Sequence, residues 1–147
     1  MQKLKNLQLL DSKIVELEEF NPTDRDYSCC KVIFESKPTN QSYIRSVLFM
    51  PSNFNGVFVA LGNGGMAGAL PEDVTEYTDK GYAVACTDMG TSRYVNGELK
   101  SADVQLYIDY AYRSTHIMTV VSKDLIKAYY GKFPDYSYFY GCSAGGL

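Results

Sequence analysis

The chain has 147 residues, 46% of them hydrophobic and 21% charged, which is typical of a globular protein long enough to bury a real core. Its formal net charge of −3 gives no reason to expect nucleic acid or an anionic membrane as a partner. No apolar run approaches the length of a membrane span, no signal peptide is visible, and the four cysteines and single histidine lack the spacing of a zinc site.

The N-terminal third of the chain predicts β-structure. Its candidate strands are short, apolar segments separated by turn-forming residues: residues 14–17, 30–35 and 43–50. Because no helical pattern interrupts them, the simplest arrangement is a set of antiparallel strands at one edge of a sheet.

From residue 57 onward, apolar runs alternate with helical patterns. Residues 57–61 are a continuous apolar run, as expected for a strand that is covered on both faces, residues 82–87 are a second buried strand, and residues 136–140 are a third strand. A polar loop is expected at residues 89–101. Alternation of strands and helices predicts a parallel sheet with right-handed crossovers.

Two helices are expected between these strands. The first starts at Pro71, with acidic residues in its first turn, and ends before Gly81. The second covers residues 103–130, has a candidate break at residues 113–115, and ends at Gly131. Its apolar stripe consists of Ile117, Val121, Leu125 and Ala128.

The last strand runs directly into Gly-Cys-Ser-Ala-Gly, which has the G-x-S-x-G form of a serine hydrolase's nucleophile turn. A serine hydroxyl needs a base to take its proton and donors to hold the oxyanion. Gly141 and Gly145 leave space around Ser143 on such a turn, and the amide of Ala144 would be one oxyanion donor. The alternative is a glycine-rich turn with an incidental serine.

A second oxyanion donor is expected from the glycine-rich loop after the strand at residues 57–61. Residues 62–66 read GNGGM, and glycines there allow backbone amides to approach a substrate closely. We predict that Gly65 or an immediate neighbour donates. A flexible connecting loop is the alternative.

The same loop supports a different hypothesis, a dinucleotide site. Residues 62–67 fit G-x-G-x-x-A, and Asp88 ends the next strand where a ribose-binding acid would lie. Against this, pyrophosphate is bound by a helix that opens within the glycines, whereas the best helix start here is Pro71.

Three segments of the chain resemble the tannase/feruloyl esterase family of α/β-hydrolases. They read MPSNFNGVFVALGNGGMAG, GYAVACTDMG and YAYRSTHIMTVVSKDLIKAYYGKFPDYSYFYGCSAGG. The resemblance implies hydrolysis of small esters of aromatic acids, of the galloyl or feruloyl type. It also implies an α/β-hydrolase fold, here a mostly parallel sheet with antiparallel N-terminal strands, as the N-terminal part of a single catalytic domain over residues 1–147.

Further features follow from the resemblance. The family has a cysteine beside the serine, disulfide-bonded to a cysteine beside the catalytic histidine, and Cys142 matches the first of these. It also has a lid domain that sometimes carries calcium; no cofactor is expected within this chain. Two positions depart from the family pattern, with Phe54 where tryptophan is common and Thr91 where histidine is frequent. The family is often exported, so the compartment stays open.

The order Ser, then Asp or Glu, then His is the rule in α/β-hydrolases, and His116 precedes Ser143. We therefore expect His116 to be a structural or surface residue, and Asp88 and Asp103 to come too early for the triad acid. The expectation is an N-terminal portion, truncated after the nucleophile turn, inactive alone, with its last strand a bare edge. A non-catalytic protein of the same fold is the remaining alternative.

Overall fold

A computed structural model of the protein describes residues 2–95 and 103–146. It contains one six-stranded sheet in the order β1-β2-β3-β5-β4-β6. The strands are β1 (Ser12–Phe20), β2 (Cys29–Ser36), β3 (Ile44–Pro51), β4 (Val57–Leu61), β5 (Ala83–Thr87) and β6 (Tyr136–Tyr140). β1, β2, β3 and β5 pair antiparallel in that order, while β5, β4 and β6 pair parallel. The α/β fold class with antiparallel N-terminal strands is confirmed.

Helical segments lie on both sides of this sheet and at its ends. They are α1 (Gln2–Lys5), α2 (Thr75–Thr78), α3 (Ser92–Val95), α4 (Val104–Ile108), a π-helical turn (Asp109–Arg113), α5 (Ser114–Tyr130) and a 3-10 turn (Ser143–Gly146). The polar loop expected at residues 89–101 lies partly outside the described residues. No helix of the described part is long and apolar enough to cross a membrane.

The long helix α5 covers one face of the sheet, where it forms the main core. Its buried apolar side chains pack with β4 and β5 residues such as Phe58 and Ala85. They are Ile117, Met118, Val121, Leu125 and Ile126. The predicted stripe is confirmed, with Ala128 packing at the edge of the cluster. The opposite face holds a smaller cluster around Val74 and Val84, so β5 is buried along its whole length.

The first predicted helix is much shorter than expected. Its start at Pro71 is wrong, because regular helix begins only at Thr75. Asp73 is the physical reason, since its carboxylate accepts a hydrogen bond from the Thr75 amide at 2.8 Å and holds the preceding residues out of the helix. Gly81 follows the helix with a φ of +78°, which agrees with the predicted end.

The break expected at residues 113–115 is misplaced, because Ser114 and Thr115 belong to regular α5; the irregularity is a π-helical turn at Asp109–Arg113, just before α5. The Asp109 carbonyl accepts two hydrogen bonds from Ser114, one from its backbone amide, as the wider turn requires, and one from its hydroxyl at 2.7 Å. Gly131 ends α5 in the left-handed conformation, as predicted. A π-turn inserts one extra residue, so it changes which side chains face the neighbouring loops.

β6 forms one edge of the described sheet and pairs only with β4. All five of its residues are exposed, including Tyr136, Tyr138 and Tyr140 at 58–64%. The expectation of a bare last strand therefore agrees with this structure.

Asp88 ties β3 to the loop that follows β5. Its side chain is buried, and its Oδ1 accepts hydrogen bonds from the Arg45 amide at 2.9 Å and the Gly90 amide at 2.8 Å. Burial raises the pKa of this carboxyl above its ordinary value. Asp88 thus organises its loop, and its bonded oxygen is directed at the protein's own backbone.

Two substitutions of Asp88 distinguish the contribution of its hydrogen bonds from that of its negative charge to the free energy of unfolding. Asp88→Ala leaves two buried amides without an acceptor, so we expect the free energy of unfolding of the full-length protein to fall by about 2–4 kcal/mol. Asp88→Asn keeps an acceptor oxygen and should lose less than half of that. Urea unfolding followed by circular dichroism measures both. Exposed Asp26 provides the control, Asp26→Ala, and an equal loss in all three variants would contradict the role given to Asp88.

Candidate active site

Ser143 begins the 3-10 turn that follows β6. Its φ is +57°, a left-handed conformation that non-glycine residues seldom adopt. The Gly145 amide donates to the Cys142 carbonyl at 3.0 Å and closes the turn. Ser143 is exposed. The structure thus places the predicted nucleophile at the tip of a tight bend directly after a strand, with its side chain open to solvent.

Glycines allow this turn to lie directly against the loop after β4. An added Cβ at Gly62 or at Gly141 would overlap the Gly145 carbonyl oxygen, and one at Gly145 would lie 2.6 Å from the Gly62 carbonyl carbon. The Gly62 amide donates to the Tyr140 carbonyl at 2.9 Å and extends the β4–β6 ladder by one step. The steric reason predicted for Gly141 and Gly145 therefore holds, and Gly62 shares it.

The glycine-rich loop carries amides that are free to donate. The Ala67 amide closes a turn onto the Gly64 carbonyl at 3.1 Å. The amides of residues 63–66 donate no hydrogen bond to any part of the chain that the structure describes. Gly65 has a φ of +60° and open space around it. The nearest of the four amides to the serine turn is that of Asn63, 2.9 Å from the ideal Cβ position of Gly145.

The side chain of Asn63 fixes the base of this loop. Its Nδ2 donates to the Ala69 carbonyl at 2.7 Å and to the Thr87 carbonyl at 3.3 Å. It thereby joins the two ends of the loop to the end of β5. This role of Asn63 was not predicted from the sequence; the available signal was a lone amide side chain within a run of glycines.

The geometry does not favour a dinucleotide site. The side chain of Asp88 is 1% exposed and its Oδ1 bonds backbone amides, so it is not presented to a ribose. The glycines do not open a helix either, because α2 begins at Thr75 and has four residues.

The remaining acidic and histidine candidates have structural positions. Asp103 caps α4 by accepting from the Gln105 amide at 2.8 Å. His116 lies exposed on α5 and lines a cavity of about 650 Å³ between α5, β6 and the glycine loop. Ala144 and Gly145 also line that cavity but Ser143 does not.

Within residues 2–95 and 103–146, no group of three or more His, Cys, Asp or Glu side chains could hold a metal ion.

The cysteines divide into three buried thiols and one exposed thiol. Burial raises the pKa of Cys29 to about 12 and those of Cys30 and Cys86 to about 11. Cys29 and Cys30 lie in the clusters on opposite faces of the sheet, because successive side chains of a strand point to opposite faces. Cys142 is exposed beside Ser143, and all four are unpaired within the described residues.

Two positions that depart from the family pattern have defined environments. Phe54 stacks on Tyr130 with ring centroids 4.2 Å apart, so an aromatic ring is retained where tryptophan is common. Thr91 is fully buried, and its hydroxyl oxygen lies within hydrogen-bond distance of two carbonyl oxygens, that of Met66 and that of Asp88, the latter at 3.0 Å.

Comparison with known proteins finds one family in both the family model and the individual relatives. The sequence model described as "Tannase and feruloyl esterase" matches residues 30–147. Feruloyl esterase B of Aspergillus niger is 36% identical over 122 residues, which cover 80% of this chain and 22% of that protein. A probable feruloyl esterase B-1 of Aspergillus oryzae is 28% identical over 142 residues, 96% of this chain and 26% of the relative. The chain therefore spans about a fifth to a quarter of the length of these relatives.

Solved structures share the fold. The crystal structure of feruloyl esterase B from Aspergillus oryzae superposes with a TM-score of 0.75 at 25% identity, covering 99% of this chain and 32% of that one. Tannin acyl hydrolase from Aspergillus niger has a TM-score of 0.63 at 18% identity, over 92% of this chain and 28% of that one. The second likeness shows the fold alone.

The contact between the serine turn and the glycine loop can be tested by adding one methyl group. Gly62→Ala places a Cβ against the Gly145 backbone, so we expect the free energy of unfolding of the full-length protein to fall by about 1–3 kcal/mol or more. Gly64→Ala is the matched control, because no atom lies within 4 Å of its Cβ position. Thermal unfolding distinguishes them, and equal melting temperatures would show that the backbones do not touch.

Proposed function

The chain belongs to the tannase and feruloyl esterase family, and on that premise we propose that it forms part of a serine esterase acting on esters of aromatic acids. The substrate class is supported by the name of the family and by the names of its relatives, which include feruloyl esterases B and C. The observation that carries the serine mechanism is the position of Ser143, in a left-handed turn packed against a loop with unbonded amides.

In this proposal the Ser143 hydroxyl attacks the ester carbonyl carbon. A base takes the serine proton and later gives it to the leaving alcohol as the ester C–O bond breaks. The Ala144 amide and one amide of the glycine loop, Gly65 or an immediate neighbour, donate to the carbonyl oxygen as it becomes negative. Water then releases the aromatic acid and restores the serine.

We place the base and its acid outside residues 1–147. Asp88 and Asp103 are used in backbone contacts, and His116 precedes the serine on a covering helix. Residues 1–147 alone should therefore not turn over an aromatic ester at an enzyme-like rate. Cys142 would be bonded to a cysteine beside the catalytic histidine, and this bridge would limit drift between nucleophile and base.

The nucleophile is tested by Ser143→Ala in the full-length protein. Because the covalent route disappears, kcat for methyl ferulate or methyl gallate should fall by about 10³-fold or more. Ser137→Ala removes another exposed hydroxyl, on β6, and serves as the control. A near-normal rate in Ser143→Ala would exclude this serine as the nucleophile.

The disulfide is tested by alkylating the native full-length protein and mapping the labelled peptides by mass spectrometry. Without reductant, we expect none of the four thiols to react. After mild reduction Cys142 should be labelled first, because the other three are buried and their raised pKa values keep them protonated. Cys142→Ser should lower the free energy of unfolding by about 2–5 kcal/mol. Labelling of Cys142 before reduction would argue against the bridge.

A further inference from the structure

Two side-chain hydroxyls bind consecutive carbonyl groups of the glycine-rich loop. Tyr110 donates its phenolic hydrogen to the Gly65 carbonyl at 2.6 Å. The Thr91 hydroxyl donates to the Met66 carbonyl through a short contact, and also faces the Asp88 carbonyl. These partners come from different elements, the π-helical turn and the loop after β5.

Two backbone bonds also hold this part of the loop, from the Ala67 amide to the Gly64 carbonyl and from the Gly68 amide to the Asp88 carbonyl, both at 3.1 Å. No atom lies within 4 Å of the Cβ positions of Gly64 and Gly65, so side-chain packing does not support them. Glycine also loses more conformational freedom on ordering than any other residue. A loop of this kind keeps one conformation only if hydrogen bonds hold it.

The two bonded carbonyls determine where the neighbouring amides point. A carbonyl and the N–H of the next residue lie in one rigid plane and point in opposite directions. Holding the Gly65 carbonyl therefore orients the Met66 amide, one of the four that have no partner within the described residues. Holding the Met66 carbonyl orients the Ala67 amide, which closes the turn onto Gly64.

Tyr110 is itself held by the π-helical turn. Its neighbour Asp109 is buried, and the Asp109 carboxylate pairs with Arg113 at 3.1 Å. The Asp109 Cβ lies 3.2 Å from the ideal Cβ position of Gly90, so the turn packs closely against the loop that carries Thr91. The π-helical turn that carries Tyr110 thus packs directly against the loop that carries Thr91.

We propose that Thr91 and Tyr110 are positioning residues, a hydroxyl clamp that holds the loop amides in the orientation that binds the oxyanion. This inference rests on the proposed esterase function. The clamp acts through the loop and touches no reacting atom. Its loss should weaken transition-state binding while leaving ground-state substrate binding intact.

The test uses the full-length enzyme and the variants Tyr110→Phe and Thr91→Val, each of which removes one hydroxyl with little change in shape. We expect kcat for methyl ferulate to fall about 10-fold in each, with KM within about twofold, since small misplacements of catalytic donors cost up to 10²-fold. Thr91→Ser, which keeps the hydroxyl, should restore most of kcat. Tyr107→Phe, an exposed tyrosine on α4, is the matched control.

A second measurement distinguishes misplaced oxyanion donors from a general disruption of the active site. An aryl trifluoromethyl ketone adds the serine oxygen to its carbonyl carbon, so its oxygen becomes an oxyanion while the serine proton moves to the base. Its inhibition constant should rise in parallel with the loss of kcat, while the affinity for the product ferulic acid should not change. Unchanged ketone affinity, or an equal loss of ferulic acid affinity, would overturn the clamp. Activity that survives Ser143→Ala would instead overturn the proposed function and, with it, the role of the clamp in binding the oxyanion.

Discussion

The candidate site depends on a place where two backbones meet with no side chain between them. β4 and β6 are neighbours in the sheet, so the loops that follow them begin at the spacing of adjacent strands, about 5 Å. Gly62 and Gly145 keep that spacing beyond the end of the sheet, because a Cβ on either would overlap the other's backbone. The distance between the serine turn and the free amides of the glycine loop is thus inherited from strand pairing.

Backbone strain is concentrated at the same edge of the sheet. Each of the three parallel strands is followed by a non-glycine residue in the left-handed conformation: Ala67 after β4, Met89 after β5 and Ser143 after β6. Such a conformation costs on the order of 1–2 kcal/mol and persists only where surrounding contacts enforce it. Here the hydrogen bonds of Asn63 and Asp88 and the close approach of Gly62 to Gly145 supply that enforcement. The three bends are therefore held by contacts between neighbouring loops of the sheet edge.

Local signals located the six strands and the serine turn, but not the length of β1, which was predicted over residues 14–17 and spans Ser12–Phe20, nor the loops between the strands. The strands at residues 57–61 and 136–140 were predicted with the correct first and last residues, because polar or glycine residues directly flank these apolar segments. The start of α2 was wrong because Asp73 competes with Pro71 as a helix-start signal, and the sequence does not say which prevails. Thr91 and Tyr110 contact the glycine loop across separations of 25 and 45 residues, so no local sequence pattern predicts these contacts.

A glycine-rich loop after a parallel strand can bind an anion in two physically different ways. In a nucleotide site, the glycines open a helix whose N-terminus attracts phosphate, and a free acid holds the ribose. In this chain the loop continues to Thr75 before any helix begins, and the carboxylate of Asp88 bonds the Arg45 and Gly90 amides. Among the unbonded amides, that of Asn63 instead lies against Gly145, in the turn that carries the exposed Ser143. An arrangement of this kind suits a charge that appears only briefly on a substrate oxygen, because the donors are already in place before the charge develops.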